Sequence, residues 1–290
     1  MIKTSHRDDG VGVVHMDEFV FPIFCPSRKR ESVLLENPMF EYMNIVVDHE
    51  EKESYEHAFK RAGRKPLSIL THNTYGCSRI RNYIVSHWYR PSEVERFNFQ
   101  IDDDFRALKY IMSSRSRESN DPEYLISLIA HVGRAAIDAG SGLFYISGSI
   151  MSPRERMSFM PFYLRRWAKT GFSGWIDPDL RMDENLITCD DLDLALQSIA
   201  KHKIMWVDQR WLGVFDEVDG RMRGNVNGDS VWISEGLIRK EQLYLARKWG
   251  THVVHVNSQG WRPGQGYKIM ITVPLTYEES IGKKGPSTSE

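Results

Sequence analysis

An alternating apolar strand that ends in three consecutive carboxylates constrains this chain more than any other feature. Residues 97–104 read FNFQIDDD. In an extended strand the Phe and Ile side chains point to one face, and Asn98 and Gln100 point to the other. The acids of Asp102–Asp104 repel one another unless something positive lies between them. Carboxylate oxygens are typical ligands of Mg²⁺ or Mn²⁺, so the run predicts a metal ion that carries a substrate phosphate.

A purely structural explanation competes with the metal site. The residues after Asp104 read FRALKYIM and place Phe105, Leu108 and Met112 at helical spacing. The acids would then lie at a helix N-terminus, where the helix dipole stabilises negative charge. The acid run alone leaves both explanations open.

Composition limits the class of protein without naming its function. The chain has 290 residues, a formal net charge of −1 and a pI near 6.8, so nucleic-acid binding would have to come from local basic patches. Three widely separated cysteines, Cys25, Cys77 and Cys189, argue for a reducing compartment and against a disulfide framework. Because the sequence shows neither a membrane span nor a signal peptide, we expect a cytoplasmic protein with no membrane partner.

Strand and helix patterns alternate along the chain, which predicts an α/β fold with helices on both faces of a mostly parallel sheet. The expected strands are 19–25, 43–48, 67–72, 96–102, 142–149, 203–211 and 251–256, and the expected helices are 50–62, 78–88, 121–139, 190–201 and 235–249. We expect a single domain over residues 16–278, with flexible segments at 1–15 and 279–290.

Polar residues follow each of the first four predicted strands, where an open α/β sheet binds its ligand. They are Cys25–Arg28, Asp48–Glu50, His72–Thr74 and the acid run. A helix predicted to start near Ser78, its expected N-cap, carries Arg79 and Arg81 in its first turn. Cations there oppose the helix dipole at a cost of about 0.3–1 kcal/mol each, unless a diphosphate binds at that end. The alternative is that both arginines are solvated.

Two acidic motifs and an arginine-bearing helix together resemble a known family. The residues GCSRIRN at 76–82, the acid run 21 residues after Arg81, and TCDDLDLAL at 188–196 are similar to the Arg-Asn helix, the DxD motif and the second acidic motif of GT-A glycosyltransferases. The second motif is closest to the EDFD element of the phage TET-associated glycosyltransferases, with Asp190 where Glu is usual. The resemblance implies a GT-A-like domain whose residues 16–112 bind the nucleotide sugar and whose residues 113–278 bind the acceptor.

The resemblance also implies roles for individual residues. For the donor they are Arg28, Asp48 or Glu50 at the nucleobase, Arg81 and Asn82 near the diphosphate, and Asp102 or Asp103 at the nucleoside. For a Mn²⁺ or Mg²⁺ ion they are Asp102 and Asp104, with His255 closing the shell, and UDP-glucose is the expected donor. Asp191 would be the base that activates the acceptor hydroxyl.

Each of these roles has a structural alternative. Asp190, Asp191 and Asp193 also suit the first turn of a helix whose buried stripe is Leu192, Ala195, Leu196 and Ile199. A lone strand histidine such as His255 is more often structural than a metal ligand. The Gly- and Asn-rich segment 220–229 suits a mobile lid, a nucleic-acid contact or a plain hairpin loop.

The resemblance implies that the acceptor is a hydroxymethylated pyrimidine in double-stranded DNA, modified in the cytoplasm of a phage-infected host. The basic and aromatic stretch expected to bind it contains Arg154, Arg156, Arg165, Arg166 and Trp167. The same stretch also suits an amphipathic helix packed on the sheet. Two other functions stay open: glycosyl transfer to a glycan, lipid or protein, and metal-dependent phosphoryl chemistry of a nucleotidyltransferase-like enzyme.

Overall fold

The computed structural model describes residues 2–112, 115–146, 162–164, 171–215, 223–226, 229–232, 235–256 and 269–271. The strands are β1 (Lys3–His6), β2 (Gly12–Met16), β3 (Phe19–Phe21), β4 (Ile23–Pro26), β5 (Asn44–Asp48), β6 (Ser68–His72), β7 (Asn98–Ile101), β8 (Phe105–Met112), β9 (Arg115–Ser119), β10 (Leu143–Ile146), β11 (Phe162–Tyr163), β12 (Phe172–Trp175), β13 (Trp206–Asp208), β14 (Trp211–Phe215), β15 (Arg223–Val226), β16 (Asp229–Trp232), β17 (Val254–Val256) and β18 (Ile269–Ile271). The helices are α1 (Glu31–Leu35), α2 (Lys52–Ala62), α3 (Cys77–His87), α4 (Pro122–Asp138), α5 (Asp190–His202) and α6 (Glu235–Trp249), with 3-10 turns at Phe40–Tyr42 and His49–Glu51.

The fold is mixed α/β and is built on one eight-stranded sheet in the order β11-β13-β10-β12-β7-β4-β5-β6. Six of these strands run in the same direction, while β12 and β11 are antiparallel to their neighbours. The chain moves from β4 outward to β5 and β6 and then returns to place β7 on the other side of β4. This reversal opens a crevice at the carboxyl ends of β4 and β7, which is where such sheets bind ligands. The predicted fold class is confirmed.

The two faces of the sheet pack against different helices. On one face Phe97, Phe99 and Ile101 join the main hydrophobic core with buried residues of α2 and α4. On the other face Phe24 and Val46 pack against Ile84 of α3. The alternation expected for residues 97–101 is therefore present, and Asn98 and Gln100 are buried on the α3 side. The α3 side of the sheet therefore carries the polar side chains of this strand.

The chain divides into two compact units, Met1–Trp232 and Ile233–Glu290, rather than into the single body expected over 16–278. In the second unit α6 packs against β17, which pairs with β18 in antiparallel fashion. Residues 279–290, expected to be flexible, lie outside the described residues. None of the helices in the described part of the chain combines the length and apolarity needed to cross a membrane.

The expectation that residues 1–15 are flexible is wrong for most of that segment. β1 and β2 pair with each other, and β2 also pairs with β3. The segment is mostly polar and contains glycines, but it also has a short apolar stretch in which Val11, Val13 and Val14 are buried. The side chain of Asn44 fixes the segment to the main sheet by accepting a hydrogen bond from the backbone N–H of Gly12 and donating one to its carbonyl.

The helix considered after the acid run does not form. Residues 105–112 are strand β8, which pairs with β9 and β14 in a separate three-stranded sheet. Cross-strand pairing and the burial of Phe105 and Leu108 outweigh the helical spacing of their apolar side chains. Asp102–Asp104 therefore lie in the turn between two strands and do not occupy a helix start.

Core packing around Phe97 should make alanine less favourable than glycine at position 133, although alanine has the higher helix propensity. A Cβ atom added to Gly133 of α4 would lie 2.7 Å from Cε1 of Phe97. Alanine favours a helix over glycine by about 1 kcal/mol, but overpacking a rigid core costs about 1–3 kcal/mol. We predict that Gly133→Ala lowers the free energy of unfolding by about 1 kcal/mol in urea denaturation, whereas His131→Ala on the exposed face changes it by less than about 0.5 kcal/mol. An increase for Gly133→Ala would contradict this packing.

Candidate functional site

The carboxyl ends of β4, β5, β6 and β7 meet at one polar cavity of about 280 Å³. This is the crevice expected from the sequence. Its lining residues are Pro26, Ser27, Arg28, Arg30, Asp48, His72, Thr74, Tyr75, Gly76, Cys77, Ile80, Arg81, Asp102, Asp103 and Asp104. The cavity contains several cations and carboxylates, so it suits a charged, polar ligand.

Arg81 is the buried cation at the inner wall of the cavity. Its side chain is 2% exposed, forms a short ion pair with Asp102 and donates from Nη1 to Oε1 of Gln100 at 3.1 Å. Burial opposes the charge of Arg81, but the neighbouring Cys77, Asp102 and Asp191 outweigh it and raise the pKa of the guanidinium. Arg81 is therefore held charged against the sheet by groups from both acidic motifs.

Arg30 is the second positive partner of the acid run and was not among the predicted site residues. Its guanidinium donates to Asp103 at 2.6 Å and to Asp104 at 3.4 Å. Ser27 also donates to Asp103, at 2.8 Å. Burial raises the pKa of Asp103 to about 7, although Arg30 and Ser27 oppose that shift. The position of Arg30 just after β4, at the ligand-binding edge, was the available signal.

The acid run offers part of a metal site. Asp102 and Asp104 both line the cavity, and burial followed by the charge of Asp102 raises the pKa of Asp104. Two repelling carboxylates suit a divalent cation in ligand chemistry. Within the described residues, however, no three His, Cys, Asp or Glu side chains are grouped to hold a metal ion. The side chain of His255, expected to close the metal shell, lies outside the part of the chain that the structure describes.

One end of the cavity contains Asp48 and His72, which lie opposite each other on the paired strands β5 and β6. Oδ1 of Asp48 accepts from the backbone N–H of Glu50 at 3.0 Å, whereas Oδ2 is buried and has no hydrogen-bond partner among the described residues. Burial lowers the pKa of His72 despite the nearby charge of Asp48. The unsatisfied carboxylate oxygen can accept an N–H from a ligand.

Of the two residues expected to contact a nucleobase, only Asp48 lines the cavity. Glu50 is exposed outside it. Arg28 lies on the cavity wall, with its guanidinium 5.3 Å from the ring centre of Tyr75 and 3.5 Å from a carboxylate oxygen of Glu51. Arg28 and Tyr75 therefore form one side of the pocket.

The start of α3 differs from the expected cap. The helix begins at Cys77 after Gly76, whose φ of +99° suits glycine, and Ser78 instead donates its hydroxyl to Asp190 at 2.7 Å. Arg79 points away from the cavity, is 52% exposed and pairs with Glu184. Only Arg81 of the two helix arginines reaches the site.

Asn82 does not line the cavity. Its amide oxygen accepts from the backbone N–H of Met182 at 2.8 Å, and its nitrogen donates to the carbonyl of Met182 at 2.9 Å. The side chain is buried and fastens α3 to the loop before α5. We therefore leave it out of the donor-binding set.

The second acidic motif begins α5, whose bounds and buried stripe match the expectation. Asp190 is buried, and burial followed by the charge of Asp191 raises its pKa to about 7. Asp191 is half-buried, whereas Asp193 is fully buried and accepts from Gln197. The bond from Ser78 to Asp190 joins α5 to the start of α3. Both acidic motifs therefore lie around Arg81.

Several predicted residues cannot be placed. The residues expected to contact the acceptor, Arg154, Arg156, Arg165, Arg166 and Trp167, lie outside the described residues, and so do 220–222 and 227–228 of the Gly-rich segment. The aromatic part of the stretch is described at Phe162 and Tyr163, which form strand β11 on the edge of the sheet. An amphipathic helix is thus wrong for these two residues.

No protein-family model matches the chain, and no curated protein is significantly similar to it. Among solved structures, TarS from S. aureus in complex with UDP is similar at 13% identity and a TM-score of 0.42, over 68% of this chain. The chain spans 60% of the length of that structure. The 4-diphosphocytidyl-2C-methyl-D-erythritol synthase from Anaerococcus prevotii is similar at 8% identity and a TM-score of 0.39, over 80% of this chain and 98% of that one.

The raised pKa of Asp190 predicts a pH dependence of stability. A carboxyl whose pKa rises from 3.8 to about 7 on folding binds more protons when folded, so the free energy of unfolding falls as pH rises through that interval. We predict that Asp190→Asn reduces the fall between about pH 5 and about pH 8, measured by urea denaturation. Asp138→Asn, an exposed change on α4, is the control and should leave the slope unchanged. An unaltered slope in Asp190→Asn would contradict the buried, protonatable carboxyl.

Proposed function

We propose that this chain is a GT-A-type glycosyltransferase that moves a sugar from a nucleotide-sugar donor to a hydroxymethylated pyrimidine in double-stranded DNA. One observation supports this most strongly. Two acidic motifs about 90 residues apart lie around the buried Arg81, which itself lines the cavity at the strand carboxyl ends. Such an arrangement suits the binding of a donor diphosphate and the deprotonation of an acceptor hydroxyl.

The cavity supports a nucleotide at one end and a diphosphate at the other. Oδ2 of Asp48, which lies beside His72, would accept a hydrogen bond from an N–H of the donor nucleobase. Arg30 and Arg81 would approach the diphosphate, each within reach of the acid run. Their charges would stabilise the diphosphate as it leaves, because negative charge develops there in the transition state.

A divalent cation fits the acid run as a shared partner of protein and donor. Asp102 and Asp104 would hold it, and the ion would act as a Lewis acid on the leaving diphosphate. Asp103 would remain with Arg30 and Ser27, whose hydrogen bonds fix its carboxylate. Metal dependence is part of the proposal.

Asp191 would remove the proton from the acceptor hydroxyl. It lies in the first turn of α5 next to Asp190, which already accepts a hydrogen bond from Ser78, and its charge acts on Arg81. A base separate from the leaving group suits an inverting displacement. Arg154, Arg156, Arg165, Arg166 and Trp167 would contact the DNA, whose pyrimidine C5 substituent projects into the major groove.

The test is incubation with nucleotide sugars, Mn²⁺ and hydroxymethylated DNA, followed by mass spectrometry of the nucleosides. A hexose added to hydroxymethylcytosine or hydroxymethyluracil supports the proposal. Release of pyrophosphate with no sugar on the DNA would instead indicate a nucleotidyltransferase. Transfer to a glycan, lipid or protein would keep the glycosyltransferase and reject the DNA acceptor.

Changing the proposed base should stop transfer without removing the donor. We predict that Asp191→Asn lowers kcat by at least about 100-fold, since general bases contribute about 10²–10⁴-fold, while its Kd for the nucleotide stays within about twofold of wild type. Calorimetry measures the Kd and nucleoside mass spectrometry measures the rate. Full activity in this variant would remove Asp191 from the mechanism.

Asp48 at the end of β5 and Glu50, two residues further on, provide a matched test of nucleotide binding. Asp48→Asn keeps the acceptor that caps Glu50 but removes the charge next to the cavity, so we predict about tenfold weaker binding of the preferred nucleoside diphosphate. Glu50→Gln, exposed outside the cavity, should bind as wild type does. Equal affinities for Asp48→Asn and wild type would contradict the base contact.

A further inference from the structure

Tyr145 carries a buried hydroxyl that no part of the proposed mechanism yet uses. The residue lies on β10 in the middle of the large sheet and is fully buried. Its Oη has no hydrogen-bond partner among the residues that the structure describes. A buried hydroxyl without a hydrogen-bond partner is unfavourable, so such groups usually have a function or a ligand.

Strand register places this hydroxyl on the active face of the sheet. Tyr145 pairs with Ser173 of β12, and Ser173 pairs with Gln100 of β7. Directly paired residues share a face, so the three form a row across the sheet. Gln100 is the residue that accepts from Arg81. Tyr145 is thus two strands, about 10 Å, along the sheet from Gln100, whose partner Arg81 lines the cavity.

The charges that act on Tyr145 include those of the second acidic motif. Burial raises the pKa of Tyr145 well above its usual value, and the charges of Asp191 and Asp190 raise it further. The phenol therefore stays protonated and can donate a hydrogen bond. The core-facing neighbours on the same strand, Phe144 and Ile146, point to the opposite face and offer it no partner.

We propose that Tyr145 is a specificity-determining residue whose hydroxyl donates a hydrogen bond to an oxygen of the transferred sugar. The inference rests on the proposed function, because it assumes that a nucleotide sugar occupies the cavity. The nucleotide would lie between Asp48 and Arg81, and the sugar would extend past Arg81 toward Asp191. A polyhydroxylated group supplies the acceptor that the buried O–H lacks.

The experiment compares each nucleoside diphosphate with its sugar conjugate. Calorimetry in the presence of Mn²⁺ gives Kd values for UDP and UDP-glucose, GDP and GDP-mannose, and TDP and TDP-glucose on the wild-type chain. The pair that binds best is then measured on Tyr145→Phe. We expect a three- to tenfold loss of affinity for the nucleotide sugar, as for one neutral hydrogen bond, and no change for the diphosphate.

Tyr89→Phe is the matched control, because Tyr89 is equally buried but donates to the carbonyl of Ile176 at 2.9 Å. Loss of this hydrogen bond should lower the urea midpoint of unfolding. The ratio of the affinities for the nucleotide sugar and the nucleoside diphosphate should stay unchanged. Tyr145→Phe should keep or raise the midpoint, since it breaks no hydrogen bond within the protein. This contrast separates a ligand contact from a structural role.

Three results would overturn the assignment of Tyr145. They are unchanged affinity for both ligands in Tyr145→Phe, an equal loss for both ligands, and a midpoint lowered as in Tyr89→Phe. In each of these the wild-type chain still binds nucleotides, so the proposed function survives. If no nucleotide or nucleotide sugar binds the wild type, the proposed function fails and the inference fails with it.

Discussion

The buried guanidinium of Arg81 is the interaction on which the rest of the site depends. It is fixed by Gln100 from the sheet and by Asp102 from the turn after β7, and it lies within the field of Asp191. A charge this deeply buried is stable only with such partners. Arg81 lies on α3, and the groups that stabilise its charge lie on β7, just after β7 and at the start of α5. The cation therefore links α3, β7 and α5 at the cavity.

Much of the fold could be predicted because local patterns and tertiary packing agree. The bounds and the buried stripe of α5 and the polar strand ends at the cavity all follow from periodicity and fold class. Where local sequence patterns and tertiary packing disagree, packing determines the secondary structure. Residues 105–112 have helical spacing but gain two strand partners, and the antiparallel strand β12 was not predicted because its short sequence has no distinct period.

The site was harder to predict than the fold, since it depends on which side chains meet across long sequence distances. The acid run has the positive partners that its charge requires, but they are Arg30 and Arg81, and only Arg81 was predicted to lie at the site. Tyr145 is invisible to a motif search because only strand register places it on the same face as Gln100. Conversely, Asn82 matched a motif and turned out to bind the backbone of Met182.

A crystal structure of the chain with a nucleoside diphosphate and Mn²⁺ tests the central claim most directly. We predict that the nucleobase lies next to Oδ2 of Asp48 and that the phosphates lie within hydrogen-bond distance of Arg30 or Arg81, with the ion on Asp102 and Asp104. A nucleotide bound elsewhere on the chain, with the cavity at the strand carboxyl ends left vacant, would contradict it.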